Sequence, residues 1–490
     1  MAIRLLYTST RKHTDVIIER AIEKMGEEIK YVLHVGDMDA DIKATSMTRM
    51  NMKTPKGEEH IMADKSFKGF LFTIANQQDF EKNASLFIDH LYRLDDKFRY
   101  KSHNLTTMYD YLDYYHILYD IMATKIIENK ITHILFTNVP HLGFDTICYQ
   151  IAKSLGLQTI IMTQAHFPNY FFSMFDVEDY GKVPHDYEKA FTPTRIEQNA
   201  PTDLFYMKKI KQEAGKTGRI SLKAMVHLVA FLIRKRPSYL WHWTKLYNLL
   251  KRTVAIYGEL PDWRDPFATY FHEDHLAYFE HILQYEESSY DLDVPFVYFP
   301  LHMQPEMTTA SLGDAFRDQA LAIECLADML PEGVKIYVKE NPKQGAYMRG
   351  PLFFHRLKRI PSVVILPSFA NTHALTDHAQ FIATITGTVG WEALQKGKKV
   401  LTFGRAWYHS FPGVFHYDSS LRYREILSFD LVHTDLELAL GKLLSRSHQG
   451  VIDKGYIEIV EMFDKEKNIE TSADTIVGLL RGEIEPTFAI

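Results

Sequence analysis

Cysteine is nearly absent from this sequence: 490 residues hold only Cys148 and Cys325, which excludes a disulfide framework. Both sit in apolar, helix-spaced surroundings and read as buried thiols of a reducing cytosol. Long apolar runs are missing too. No stretch reaches about 18 uninterrupted apolar residues, so a simple spanning helix is not expected. Met1-Ala2-Ile3-Arg4 runs straight into an apolar strand pattern, without the basic segment, apolar core and small-residue site of a secretory leader. The formal charge is only -6, which gives no global case for nucleic-acid binding. No His-x-x-x-His or Cys-x-x-Cys spacing supports zinc, and no tandem repeat of about 20–50 residues is present. What remains has 46% hydrophobic and 24% charged residues, a globular balance that excludes a wholly disordered or fibrous chain. The length suits two or three domains. The 28 Tyr and 31 Phe are spread along the chain, which suits packing and sugar stacking alike.

The small net charge conceals a segregation. Residues 207–252 carry twelve Lys or Arg against one acid, Glu213, so the segment is +11 and the remainder -17. Among its cations are Arg234, Lys235 and Arg236, and the same segment holds Tyr239, Trp241, Trp243 and Tyr247. Basic charge beside Trp and Tyr suits an interface with anionic lipid; a helical insertion that packs on its own domain and shows Lys and Arg to water has the same pattern.

Alternating strand and helix patterns fill most of the rest. Residues 3–7, 29–35, 131–137 and 159–163 read as strands of an amino-terminal α/β half, with helices over 14–24, 107–129 and after Asp145. Asp37, Asp39 and Asp41 alternate after the second strand, as a metal site or a solvated loop would. A helical stretch near 269–285 and a linker at 286–291 lead to a second α/β half. Its strands are 297–301, 335–339, 363–366, 381–386 and 400–403, and its helices 314–329, 353–357, 372–378 and 389–396. The expected domains are 1–205, a basic aromatic helical insertion at 206–255, a helical linker at 256–290, a carboxyl-terminal α/β domain at 291–465 and a helical tail at 466–490.

Four polar segments lie at the carboxyl ends of these strands, where open parallel sheets bind ligands. The first is Thr384 to Leu394, strand into helix. Gly387 and Gly390 allow close backbone approach, and free amides with the Thr386 and Thr388 hydroxyls form an anion cradle. Glu392, placed in the first helical turn, offers two oxygens to sugar hydroxyls. The next strand ends at Gly404. The glycine spacing is neither a Rossmann dinucleotide fingerprint nor a Walker loop. The second segment is Val338 to Lys343, where Lys339 and Lys343 can neutralise phosphate and Asn341 can hydrogen-bond to it. The third, Leu301 to Thr309, offers Gln304 and Glu306, with His302 either packing or lining the site. The fourth, Asn138 to Asp145, offers Asp145 or His141 as a base for an acceptor hydroxyl; a plain helix cap is the other reading of Asp145.

Read together, Gln304-Pro305-Glu306, Tyr337 to Pro342, Thr386 to Leu394 and Gly397 to Gly404 resemble bacterial capsule polysaccharide biosynthesis and export proteins, a family that includes Kdo transferases. The resemblance covers roughly 291–415 well and the amino-terminal half loosely. It implies a GT-B-like glycosyltransferase: two Rossmann-like domains facing a cleft, with the donor in the carboxyl half and no obligatory metal or other cofactor. CMP-activated Kdo is the donor it suggests most directly, with UDP-sugars also open, and the acceptor would be lipid-linked or a growing surface glycan. The place would be the cytoplasm, peripheral at the inner face of the membrane. Many relatives carry His-Pro where this chain has Asn341-Pro342, so the phosphate contact there differs: Asn341 donates a hydrogen bond but carries no positive charge. A sugar-nucleotide epimerase or hydrolase of the same architecture is the alternative enzyme. A capsule assembly or export factor without catalysis is the alternative outside enzymes.

Overall fold

The computed structural model describes residues 2–45, 55–70, 83–86, 88, 107–184, 190–197, 230, 233, 237–244, 246–247, 286, 289–304, 306–341, 349, 351–367 and 370–489. Lys343, the stretch 269–285 and most of 207–252 lie outside the described residues. The chain divides into two compact units, 1–193 with 440–490, and 194–439.

The first unit opens with β1 (Ile3–Ser9), α1 (Lys12–Met25), β2 (Ile29–Gly36), the short β3 (Ile42–Lys43) and α2 (Pro55–Glu58). It continues with α3 (Met108–Glu128), β4 (His133–Phe136), α4 (Phe144–Leu155), β5 (Gln158–Gln164) and β6 (Tyr170–Met174). A capping box between Thr107 and Asp110 starts α3, and Gly156, at φ 65, ends α4.

The second unit holds β7 (Phe296–Pro300), α5 (Met307–Ala310), α6 (Gln319–Met329), β8 (Lys335–Lys339), α7 (Pro351–Lys358), β9 (Val363–Leu366) and α8 (Thr372–His378). Then come β10 (Ile382–Thr384), α9 (Thr388–Gln395), β11 (Val400–Thr402), β12 (Val414–His416) and α10 (Tyr423–Ser428), and α11 (His433–Arg446) begins in this unit and ends in the first. The helix expected over 314–329 is split. Asp318 accepts hydrogen bonds from the Ala320 and Leu321 amides at 3.1 and 3.3 Å, so it caps α6 and leaves 314–317 as a separate 3-10 turn.

After α11 the chain completes the first unit with β13 (His448–Gln449) and α12 (Lys465–Arg481). α12 is not a detached tail. Ile469, Ala473, Ile476, Val477 and Leu480 recur at helical spacing and share one core with Ile17, Ile18, Ala21 and Met25 of α1. Each Ile, Val, Leu and Met among them contributes about 1.5–3 kcal/mol when buried. The compact first unit therefore takes in 440–465 as well, residues the sequence reading placed in the carboxyl-terminal domain.

The first sheet runs β13-β6-β5-β4-β1-β2-β3, the second β12-β11-β10-β7-β8-β9. The second is parallel throughout; in the first, β6 is antiparallel to β5 and β13 to β6. Counted from its own first strand, the second sheet has the doubly wound order 3-2-1-4-5-6 and the first has the same order with β13 added beyond β6, each reversing direction between strands one and four. The chain is thus α/β with two Rossmann-like, GT-B-like units. The reversal falls between β1 and β4 in one unit and between β7 and β10 in the other.

Candidate functional site

In the second unit, the reversal brings the ends of β7 and β10 side by side, with β8 next to β7. The β10 end leads into α9. Its N-cap is Gly387, and no side chain caps the helix. The Gly387 amide donates to Thr384 Oγ1 at 3.2 Å and the Gly390 amide to Gly387 O at 3.0 Å. Between them the Thr388 and Val389 amides have no protein acceptor among the described residues. Two open amides at a helix start, with the half-buried Thr388 hydroxyl, form a small anion cradle.

Glu392 follows Thr388 by four residues and so shares its helix face. It lies in the second turn rather than the first, so the helix end does not hold its charge. The observed effect is opposite: burial pushes the carboxyl up to about 7, with Lys396 opposing part of the rise. The half-buried carboxyl has no hydrogen bond from the protein among the described residues.

The glycines are explained by the protein's own packing. A Cβ on Gly387 would meet His302 Cε1 at 2.6 Å, and one on Gly390 would meet the Tyr408 hydroxyl at 2.2 Å. A Cβ on Gly404 would meet Leu312 O at 2.5 Å. Thr386 is also committed inward, donating from Oγ1 to Thr308 O at 2.7 Å. Gln304 is buried and its Nε2 donates to Arg317 O at 2.7 Å, which ties the loop after β7 to the 3-10 turn. Glu306 is exposed at the start of α5.

At the end of β8, Lys339 is buried, and next to it lies an ion pair the sequence reading missed. Glu340 and Arg349 are both fully buried and bonded to each other. Glu340 Oε1 also accepts from the Asn341 amide at 2.7 Å, while Arg349 donates to the His302 carbonyl and lies over the Phe353 ring at 5.3 Å. His302 itself spans the reversal. Its Nε2 takes the Thr384 hydroxyl at 2.7 Å and the Ile385 amide at 3.3 Å. Burial, reinforced by the Arg349 charge, lowers the ring's pKa to about 3, so His302 is neutral and built into the frame.

In the first unit, the loop after β4 carries His141 and Asp145. Gly143, not Asp145, is the N-cap of α4. Asp145 sits one residue inside the helix and reaches back: its Oδ1 accepts from the His141 and Leu142 amides at 3.0 and 2.7 Å. Burial raises its pKa, and the neighbouring His141 and these amides pull the other way. His141 Nδ1 lies 2.6 Å from Val139 O; a carbonyl only accepts, so Nδ1 carries the proton and Nε2 presents a lone pair. Asp145 shapes the loop, and His141 Nε2 has no protein partner among the described residues. The alternating aspartates act similarly on their own loop: Asp37 accepts from the Met38 amide, and Asp41 from the His34 amide, at 3.0 and 2.9 Å. Among the described residues, no three His, Cys, Asp or Glu side chains gather as a metal site would need.

Residues 299–425 match a family model described as capsule polysaccharide biosynthesis protein. That span holds every residue discussed at β7, β8, β10 and β11, and leaves out His141 and Asp145. No curated protein matches the chain. Among solved structures, Thermosulfurimonas dismutans KpsC, titled a beta Kdo 2,7 transferase, aligns at 11% identity over 76% of this chain and 91% of its own, with a TM-score of 0.29. The KpsC structure titled a beta Kdo 2,4 transferase aligns at 14% identity over 71% and 88%, with a TM-score of 0.27. The UDP-GlcNAc 2-epimerase of Methanocaldococcus jannaschii aligns at 13% identity over 98% and 100%, with a TM-score of 0.23. At such scores the superpositions carry no argument for this chain.

Proposed function

We propose that this chain acts on a nucleotide-activated sugar, and that its reaction is transfer of the sugar to a glycan or lipid-linked acceptor. The observation that carries the reading is the α9 start: two open amides and, one turn along the same face, a carboxyl, all without a protein partner among the described residues. The amides suit a donor phosphate and Glu392 a sugar or ribose hydroxyl pair. Lys339 and Asn341 at the end of β8, on the far side of β7 from β10, add charge and a donor. In the first unit His141 is the base that takes the acceptor proton, and Asp145 holds its loop. The match of 299–425 to the capsule family supports placing the acceptor in surface-polysaccharide synthesis. Trp241, Trp243 and Tyr247, at 82%, 77% and 65% exposure amid the basic segment, support a peripheral contact with anionic membrane. No helix among the described residues is long and apolar enough to cross a membrane.

A second reading, epimerisation or hydrolysis of the nucleotide sugar, is favoured by one observation. A carboxyl poised at about 7 can both give and take a proton at neutral pH, and such chemistry needs no acceptor. Incubation with CMP- and UDP-sugars alone separates the two: free sugar or an epimer formed without acceptor selects the second. Calorimetry tests their common ground. Glu392→Ala and Lys339→Ala are expected to weaken nucleotide binding, and unchanged affinity in both removes the donor site from this place. Binding of no nucleotide at all leaves a non-catalytic capsule factor.

A further inference from the structure

The open amides of α9 are placed by a chain of hydrogen bonds with a defined direction. The Gly387 amide donates to Thr384 Oγ1, and the Thr384 hydroxyl donates to His302 Nε2. That nitrogen also receives the Ile385 amide, so it acts purely as an acceptor. The ring fills the space where a side chain on residue 387 would stand. The histidine's main chain is gripped in turn: its amide donates to Gln319 Oε1 at 2.7 Å, and its carbonyl receives Gln319 Nε2 at 3.1 Å and Arg349. Arg349 is held by Glu340, whose carboxylate also binds the Asn341 amide. The ring of His302 therefore ties the end of β7 to β10, and its main-chain carbonyl ties it through Arg349 to the Glu340 that follows β8, although neither the ring nor Thr384 belongs to the anion cradle itself.

We propose that His302, acting through Thr384, is a positioning residue for nucleotide recognition: it fixes the first turn of α9 so that the Thr388 and Val389 amides point at the phosphate. This rests on the reading of α9 as a nucleotide site. The acceptor nitrogen is the working part, so a side chain that keeps an acceptor there keeps the function. Buried networks of this kind lose more than one contact when one member is removed, because the remaining donors are left unpaired.

The test is calorimetric titration of CMP and UDP into the full chain and its variants, each checked for cooperative melting. Against wild type, His302→Leu is expected to weaken the nucleotide that binds by about tenfold or more, and His302→Gln, which restores an acceptor, to stay within about threefold. Thr384→Val removes the linking hydroxyl without changing shape and is expected to follow the leucine variant; Thr384→Ser is expected to follow wild type. This second pair decides the matter if His302→Leu does not fold. Wild-type affinity in Thr384→Val, or equal weakening in His302→Leu and His302→Gln, overturns the proposal. Failure of wild type to bind either nucleotide overturns the underlying reading instead.

Discussion

Glu392 is the least comfortable charge in the second unit, and its discomfort is measurable. Its ordinary value of 4.5 is pushed up to about 7 by burial. A carboxyl raised in the fold is protonated there while already ionised in the unfolded chain, so the fold binds more protons and stability falls as pH rises between the two values. The penalty is absent well below 4.5 and complete above about 7. At about 1.4 kcal/mol per tenfold change in proton affinity, it grows from about 1 kcal/mol at pH 5 to about 3 kcal/mol at pH 8.5. Glu392→Gln removes the titrating group and keeps the shape. The variant is therefore expected to be more stable than wild type by a margin that widens over this range. Urea unfolding at pH 5, 6, 7 and 8.5 reads it, followed by the emission of Trp391 and Trp407, which are both buried with ring centroids 5.0 Å apart. The same variant is expected to bind nucleotide about tenfold or more weakly, since hydrogen bonds to a charged group contribute about 1.5–3 kcal/mol. A stability difference independent of pH, or a variant weaker than wild type at pH 8.5, refutes the argument that this carboxyl is kept at a cost for ligand.

Three further outcomes are expected. Arg349→Met leaves the buried Glu340 charge without its ion-pair partner and lowers the unfolding free energy by about 3–5 kcal/mol, read by urea unfolding, whereas Glu340→Gln with Arg349→Met recovers much of the loss. Gly390→Ala drives a methyl into the Tyr408 hydroxyl and lowers stability by about 1–3 kcal/mol, measured by thermal melting. If His141 is the base proposed for transfer, His141→Ala leaves calorimetric nucleotide affinity within about twofold while abolishing any sugar transfer the wild type shows.

The alternation of strand and helix was legible because buried parallel strands such as Phe296–Pro300 read as short apolar runs between periodic helices. So was the strand-to-helix turn after β10, where glycine, threonine and acid cluster. The reasons behind those residues were not legible. Glycines 387 and 390 make room for His302 and Tyr408, partners that lie far away in sequence or across a turn, and no spacing rule reveals them. Glu340 and Arg349 look like surface charges in a polar stretch, and only the fold brings them together in the dark. The cap of α4 was misplaced because Asp145 satisfies loop amides from inside the helix, which a sequence pattern cannot distinguish from capping in front of it. β6 and β13 escaped notice for a topological reason: Phe171 pairs with His448, and a two-residue strand has no periodicity of its own.

That pairing has a consequence for how the protein is made. The second unit is one unbroken stretch, 194–439, but the first is assembled from both ends of the chain. Ile17 and Ile18 emerge early in synthesis and wait for Ile469 and Ile476 to complete their core. At roughly 5–20 residues per second, that wait is tens of seconds. The later-encoded unit can finish folding before the earlier-encoded one. Truncation from the carboxyl end thus injures the unit at the amino end, and because α11 runs across residue 439, a cut at that boundary divides a helix.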